Sequence, residues 1–232
     1  MAKNVFKTFV CVVLFSVLGF AQINPAPTPI VPTPTPMPDS PPKANQRPPE
    51  KPAAEPFDKA DVKTMAAKCV GLDTESGLIE IELFPESAPE SVRNFLNLAA
   101  TGAYDTTVFS RVVPGFVIQG GDLYTRDGKM TYALGMRARK TIVDEPSKIL
   151  HERGIVSMAR SDEPNTASTH FFILVESAPS LEGKFAAFGR VTRGMDVVDT
   201  INKASVENEK PVKPVRIKKV SVQACTAASS PK

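Results

Sequence analysis

Residues that hold metals are scarce in this chain. Its 232 residues include two histidines, His151 and His170, and three cysteines. None of them falls at the spacing of a ligand set, which argues against a structural or catalytic metal. An excess of one charge is missing as well. Lys and Arg number 28 against 25 Asp and Glu, for a formal net charge of +3, and so balanced a chain gives no case for nucleic acid or an anionic membrane surface as a partner. Long hydrophobic runs are nearly absent. The one sustained run, residues 9–20, is about 12 residues long, well short of the ~20 that cross a bilayer. Internal repeats are not found.

What is present falls into compositionally distinct parts. Residues 1–21 combine Lys3 and Lys7 with that apolar run and end on Gly19 and Ala21, small residues at the spacing of a cleavage site. They are expected to be a signal peptide, with an uncleaved anchor as the alternative, which makes the protein exported, periplasmic or secreted. Cleavage leaves no membrane span. It also removes two lysines and lowers the formal charge from +3 to +1. Residues 22–61 are proline-rich: 13 of the chain's 22 prolines lie between 24 and 56. With so little to bury, that stretch is expected to be a disordered, polyproline-II-like linker. Residues 62–226 have the length and apolar content of one domain, and 227–232 are expected to be a disordered tail.

Within that domain the hydrophobic period changes from place to place. In "GLIEIELFP" Ile79, Ile81 and Leu83 alternate with Glu80 and Glu82, the period of a half-buried strand. "SAPESVRNFLNLAATG" shifts to helical spacing, with Ser87 as the candidate cap, Pro89 in the first turn and Gly102 as the stop. A second helix is expected at "GMDVVDTINKA", with Met195, Val198 and Ile201 on one face. The remainder is short apolar runs separated by turns, which points to a mainly β, antiparallel sheet closed into a barrel and covered by two helices. One run, "FSRVVPGFVIQGGD" (109–122), carries a single arginine in an apolar strand. A guanidinium there needs either an internal carboxylate or a ligand.

"FSRVVPGFVIQGGD", "GIVSMARSDEPNTASTHFFI" (154–173) and "LEGKFAAFGRVTRGMDVVD" (181–199) resemble, in order and at similar spacing, the three signature blocks of cyclophilins. The resemblance covers about residues 66–225. It implies an eight-stranded closed antiparallel barrel with two capping helices, and peptidyl-prolyl cis-trans isomerase activity without metal or organic cofactor. It implies Xaa-Pro segments of folding proteins as partners, and a monomer. A non-catalytic proline-peptide-binding module or a scaffold is the alternative reading. The family's catalytic arginine falls on Arg111. The substrate pocket falls on Phe116, Val117, Gln119, Phe172, Leu181 and Phe185, with His170 beside it and backbone contacts at Ala159 and Arg160. Four positions depart from the commonest family pattern. Val117 stands for a methionine, His170 for a glutamine, Ser180 for the tryptophan of cyclosporin-sensitive members, and Phe185 for a histidine or tyrosine. The serine implies weak cyclosporin binding. In the implied barrel the first and last strands are neighbours, so Cys69 and Cys225, one at the end of each, are the candidate disulfide pair, with two unbonded cysteines as the alternative.

Rotation about an Xaa-Pro bond faces a barrier of ~18–20 kcal/mol because the amide nitrogen shares its lone pair with the carbonyl. No bond is made or broken, so the chemistry needs neither nucleophile nor metal. It needs a fixed donor that bonds the nitrogen when the bond is twisted, and a pocket that holds the ring.

Overall fold

A computed structural model describes residues 54–225. The expected signal peptide, residues 22–53 of the proline-rich segment, residue 226 and the expected tail 227–232 lie outside the described residues. Eight strands form one antiparallel sheet: β1 (Lys68–Thr74), β2 (Gly77–Leu83), β3 (Arg111–Val113), β4 (Val117–Gly120), β5 (Ile155–Met158), β6 (Phe171–Leu174), β7 (Ala187–Arg193) and β10 (Ile217–Ala224). Two further strands, β8 (Val206–Glu207) and β9 (Lys210–Pro211), make a separate hairpin. The sheet order is β10-β1-β2-β7-β5-β6-β4-β3.

The sheet curls but is not the closed barrel that the sequence suggested. Its edges, β10 and β3, do not pair as strands. The segment before β3 partly spans the gap: Thr106 donates to Ile217, Ile217 to Thr107, and Phe109 to Val215. Sequence explains why no ladder forms there. Pro114 and Gly115 end β3 after three residues, and Pro214 supplies no N–H just ahead of β10. The open edge of β3 is not left bare, because Val112 donates its N–H to the carbonyl of Glu209 in the β8–β9 turn at 2.8 Å.

Both faces of the sheet are covered where the site lies, which explains the unbroken apolar run of β6. Phe171 and Ile173 join the main core with Val112, Ile118, Val156 and Phe188. Phe172 and Leu174 point to the other face and join a second cluster with Val117, Ile155 and Ala187. A strand buried on both sides shows no alternation. In β2, by contrast, Ile79, Ile81 and Leu83 are buried while Glu80 and Glu82 are not.

Helix α2 (Pro89–Ala100) packs against β7 and β10, and α4 (Met195–Asn202) against β2, β3 and β4. The cap of α2 differs from expectation. Ser87 lies outside the helix and the N-cap residue is Ala88, whose side chain bonds nothing. The first-turn donors are satisfied from a distance: the Glu145 carboxylate accepts from the N–H of Glu90 at 2.9 Å and of Ser91 at 2.7 Å. Two short helices, α1 (Val62–Ala66) and α3 (Tyr132–Ala138), were not anticipated. Residues just ahead of α1 are folded onto the domain. Glu55 pairs with Arg137 at 2.6 Å, and Arg93 donates to the carbonyls of Phe57 and Ala60. The folded part therefore takes in residues from 55 onward.

At the far seam, Cys69 and Cys225 are disulfide-bonded, with their Cα atoms 4.9 Å apart. The β1–β10 register sets Cys69 opposite Gln223, and Cys225 donates its N–H to Ala67. Among the described residues no helix is long and apolar enough to cross a membrane.

Candidate functional site

Strand register assembles the site. Arg111 on β3 lies opposite Gln119 on β4, Gln119 opposite Phe172 on β6, and Phe172 opposite Ser157 on β5. Directly opposed residues share a face, so guanidinium, carboxamide and phenyl ring stand in one row. Two residues along, Val113, Val117 and Leu174 form the next row. Around Phe172, which is 6% exposed, the second cluster gathers Val117, Phe116, Ala159, Leu181 and Phe185. The Phe172 and Phe185 rings meet edge to face at 5.7 Å.

The "QGG" at the end of β4 is fixed by close approach. A Cβ on Gly121 would lie 2.2 Å from the carbonyl oxygen of Thr169, and its φ of +87° is one that side chains avoid. That contact brings the start of β6 against the end of β4, and with it His170 beside Gln119.

A cleft of about 220 Å³ opens here, lined by Gln119, Ala159, Arg160, Ser161, Thr166, Ser168 and His170. Its guanidinium is not free. Arg160 donates through Nε and Nη2 to the Lys184 carbonyl and through Nη1 to those of Ser161 and Asp162, and it lies 5.2 Å over the Phe185 ring. It ties the 159–162 turn to the 184–185 loop and forms one wall. Burial holds the His170 imidazole below its usual pKa, with Asp122 acting the other way. Ala159 already gives its N–H to the His170 carbonyl at 3.0 Å. Ser180 is exposed beside Leu181.

All the pocket positions named from the sequence thus fall in one continuous patch. Two further residues in it gave no signal of their own. Asn202, the last residue of α4, donates to the carbonyls of Val113 at 2.9 Å and Val117 at 3.0 Å and accepts the Gly115 N–H at 2.8 Å. It clamps the β3–β4 turn that presents Phe116. Glu209 accepts the Arg111 Nε–H at 2.7 Å through Oε2, while Arg111 Nη1 faces Gln119 Oε1 at 3.5 Å. Arg111 therefore has its carboxylate, but the pair is no buried ion pair: the side chains are 40% and 51% exposed. In the sequence Glu209 is one acid in "VENEKP", 98 residues from its partner.

A larger cleft of about 460 Å³ adjoins the same β3–β4 turn, lined by Pro114, Gly115 and Asn202 together with Arg153, Asp199 and Lys203. There Arg153 and Asp199 satisfy each other through two bonds of 2.8 Å.

Known proteins resemble this chain over most of the described residues. Residues 69–222 match the family model described as cyclophilin type peptidyl-prolyl cis-trans isomerase/CLD. The chain is 37% identical over 158 residues to peptidyl-prolyl cis-trans isomerase CYP18-2 of Arabidopsis thaliana, covering 66% of this chain and 92% of the relative. It is 38% identical over 161 residues to cypE of Dictyostelium discoideum, covering 68% and 99%. Among solved structures it resembles a cyclophilin type isomerase of Cryptosporidium parvum crystallised in the presence of the dipeptide Ala-Pro. That match has a TM-score of 0.59 and 31% identity, and covers 68% of this chain and 99% of that one. The chain belongs to the cyclophilin family of peptidyl-prolyl cis-trans isomerases.

Proposed function

We propose that Arg111 catalyses rotation about Xaa-Pro bonds of exported proteins during their folding, with the proline ring held against Phe116, Phe172 and Leu181. The observation that carries this is the single register row in which the Arg111 guanidinium stands beside Gln119 and Phe172 at the rim of an apolar cluster. Guanidinium N–H groups aimed at the prolyl nitrogen bond it only once twisting has localised its lone pair, so they favour the transition state over the planar ground state. The planar, permanently charged fork suits this; a lysine would not hold the geometry. Uncatalysed exchange takes tens of seconds, and a turnover of order 10²–10³ s⁻¹ requires lowering the barrier by ~6–7 kcal/mol. One preorganised charged donor supplies ~3–4 kcal/mol. Anchoring of the ring, with Gln119 and the backbone at Ala159 and Arg160 fixing the flanking peptide, accounts for the rest.

The neighbour crystallised with Ala-Pro supports a proline-containing peptide as ligand. The leader-like residues 1–21 support an exported, periplasmic or secreted enzyme, and the balanced charge supports protein rather than nucleic-acid partners. The test is an isomerase assay on an Xaa-Pro peptide. Arg111→Ala is expected to lose two or more orders of magnitude in kcat/KM while its melting temperature stays near that of the parent, since the guanidinium is exposed. A variant that keeps its activity, or one that melts many degrees lower, would overturn the catalytic role.

A further inference from the structure

The turn between β8 and β9 holds Asn208 and Glu209 at φ of 50° and 64°. Two-residue hairpin turns with both residues in this region favour Asn followed by Gly, because an L side chain in left-handed backbone crowds its own carbonyl. A glutamate in the second position is strained where glycine would be relaxed, and such strain gathers at functional sites. The surroundings define what this residue does. Its carbonyl accepts the Val112 N–H at 2.8 Å, fixing the turn to the edge of β3, and its carboxylate then reaches the neighbouring Arg111 Nε at 2.7 Å.

A guanidinium has five N–H donors. Glu209 occupies the one on Nε, and Gln119 faces Nη1. The terminal donors that remain are those able to meet a substrate. We infer that Glu209 is a positioning residue for the isomerisation: it grips Arg111 at Nε and so aims the Nη fork at the prolyl bond. This rests on the reading of Arg111 as the catalytic group. The opposite role, a carboxylate that competes with substrate for the guanidinium, predicts the opposite sign.

The test uses the full chain and measures kcat, KM and melting temperature for Glu209→Ala, Glu209→Gln, Glu209→Gly and Arg111→Ala, and for Arg111→Ala combined with Glu209→Ala. Glu209→Ala is expected to lower kcat about two- to fivefold, the range an exposed charged pair spans, with KM little changed. Glu209→Gln should recover most of that, because the amide oxygen still accepts from Nε. Glu209→Gly should lose as much kcat as the alanine variant yet melt no lower than the parent, since glycine suits the turn. In the Arg111→Ala background Glu209→Ala should have no further effect. An unchanged or raised kcat in both the alanine and glycine variants overturns the inference. So does a Glu209→Ala effect that persists without Arg111. Full activity in Arg111→Ala would instead sink the catalytic reading beneath it, and the two failures are told apart by that one variant.

Discussion

At one edge of the sheet β10 pairs with β1 over seven residues from Lys68↔Ala224 to Thr74↔Ile217, and the Cys69–Cys225 bond ties the end of that ladder. At the other edge β3 offers three residues, and side chains from elsewhere hold it: Asn202 on the turn that follows, Glu209 on Arg111. The first edge is long, regular and remote from the site. The second is short and irregular, and it carries the arginine. Beyond its three-residue pairing with β4, the order of β3 is supplied by individual bonds: Val112 to the Glu209 carbonyl, Glu209 on Arg111 and Asn202 on the turn. The difference teaches that damage at the two edges should separate stability from activity.

The largest effect belongs to the seam. Opening the disulfide in the Cys69→Ser, Cys225→Ser double variant releases a loop spanning 156 residues. The chain-entropy relation puts that at ~5 kcal/mol of stability. Denaturant unfolding should register the loss while kcat/KM of the folded fraction stays at the parental value; an unshifted midpoint would deny the seam its structural role. At the opposite edge, Asn202→Leu strands the Gly115 N–H and takes one bond from each of the Val113 and Val117 carbonyls, Val113 keeping the Phe116 N–H. Leaving a buried polar group unpaired costs ~1–3 kcal/mol. Here KM should rise together with the fall in melting temperature, because the turn carries Phe116. A stability loss with KM unmoved would break the contrast between the edges.

Beyond the pocket, Ser180 is exposed and gives cyclosporin little apolar face. Isothermal titration should find weak binding, and Ser180→Trp should tighten it by about 2 kcal/mol, roughly 30-fold, as an interfacial tryptophan does. Nanomolar binding by the parent would contradict this. The smallest effect concerns pH. Burial lowers the pKa of both His151 and His170 in the folded chain, so below about pH 6.5 the unfolded chain binds more protons than the folded one. Stability is therefore fully present above that pH and declines as pH falls through the folded pKa values. His170→Gln should flatten part of the slope in a melting series from pH 7.5 to 5, and an unaltered slope would remove His170 from the account.

Much of this was legible in the sequence because it is local. The alternation of Ile79, Ile81 and Leu83, the helical spacing of Val92, Phe95, Leu96 and Ala99, and the signature segments around Arg111, Phe172 and Leu181 each lie within a few residues. What escaped depends on contacts between distant parts. The cap on α2 comes from Glu145, 54 residues beyond Ser91, while Ser87, at the conventional place, bonds nothing in the first turn. Glu209 and Asn202 become site residues only when the β8–β9 hairpin and α4 meet the edge of β3. Closure of the sheet failed for the same kind of reason: strand count implied a barrel, but the short β3 and the proline ahead of β10 leave a gap that only the folded chain displays.

The sulfur bridge also settles how the domain carries load. It joins Cys69 to Cys225, so nearly all of the sheet lies inside a covalent ring whose two exits are 4.9 Å apart at the Cα atoms. Tension pulled between the residues before Cys69 and those after Cys225 crosses that bond and bypasses every hydrogen bond in the ring. Once residues 55–67 have peeled from the surface, the oxidised domain transmits force without lengthening further, like a bead threaded on a line. Once reduced, the same pull falls first on the β1–β10 ladder and then on the sheet behind it.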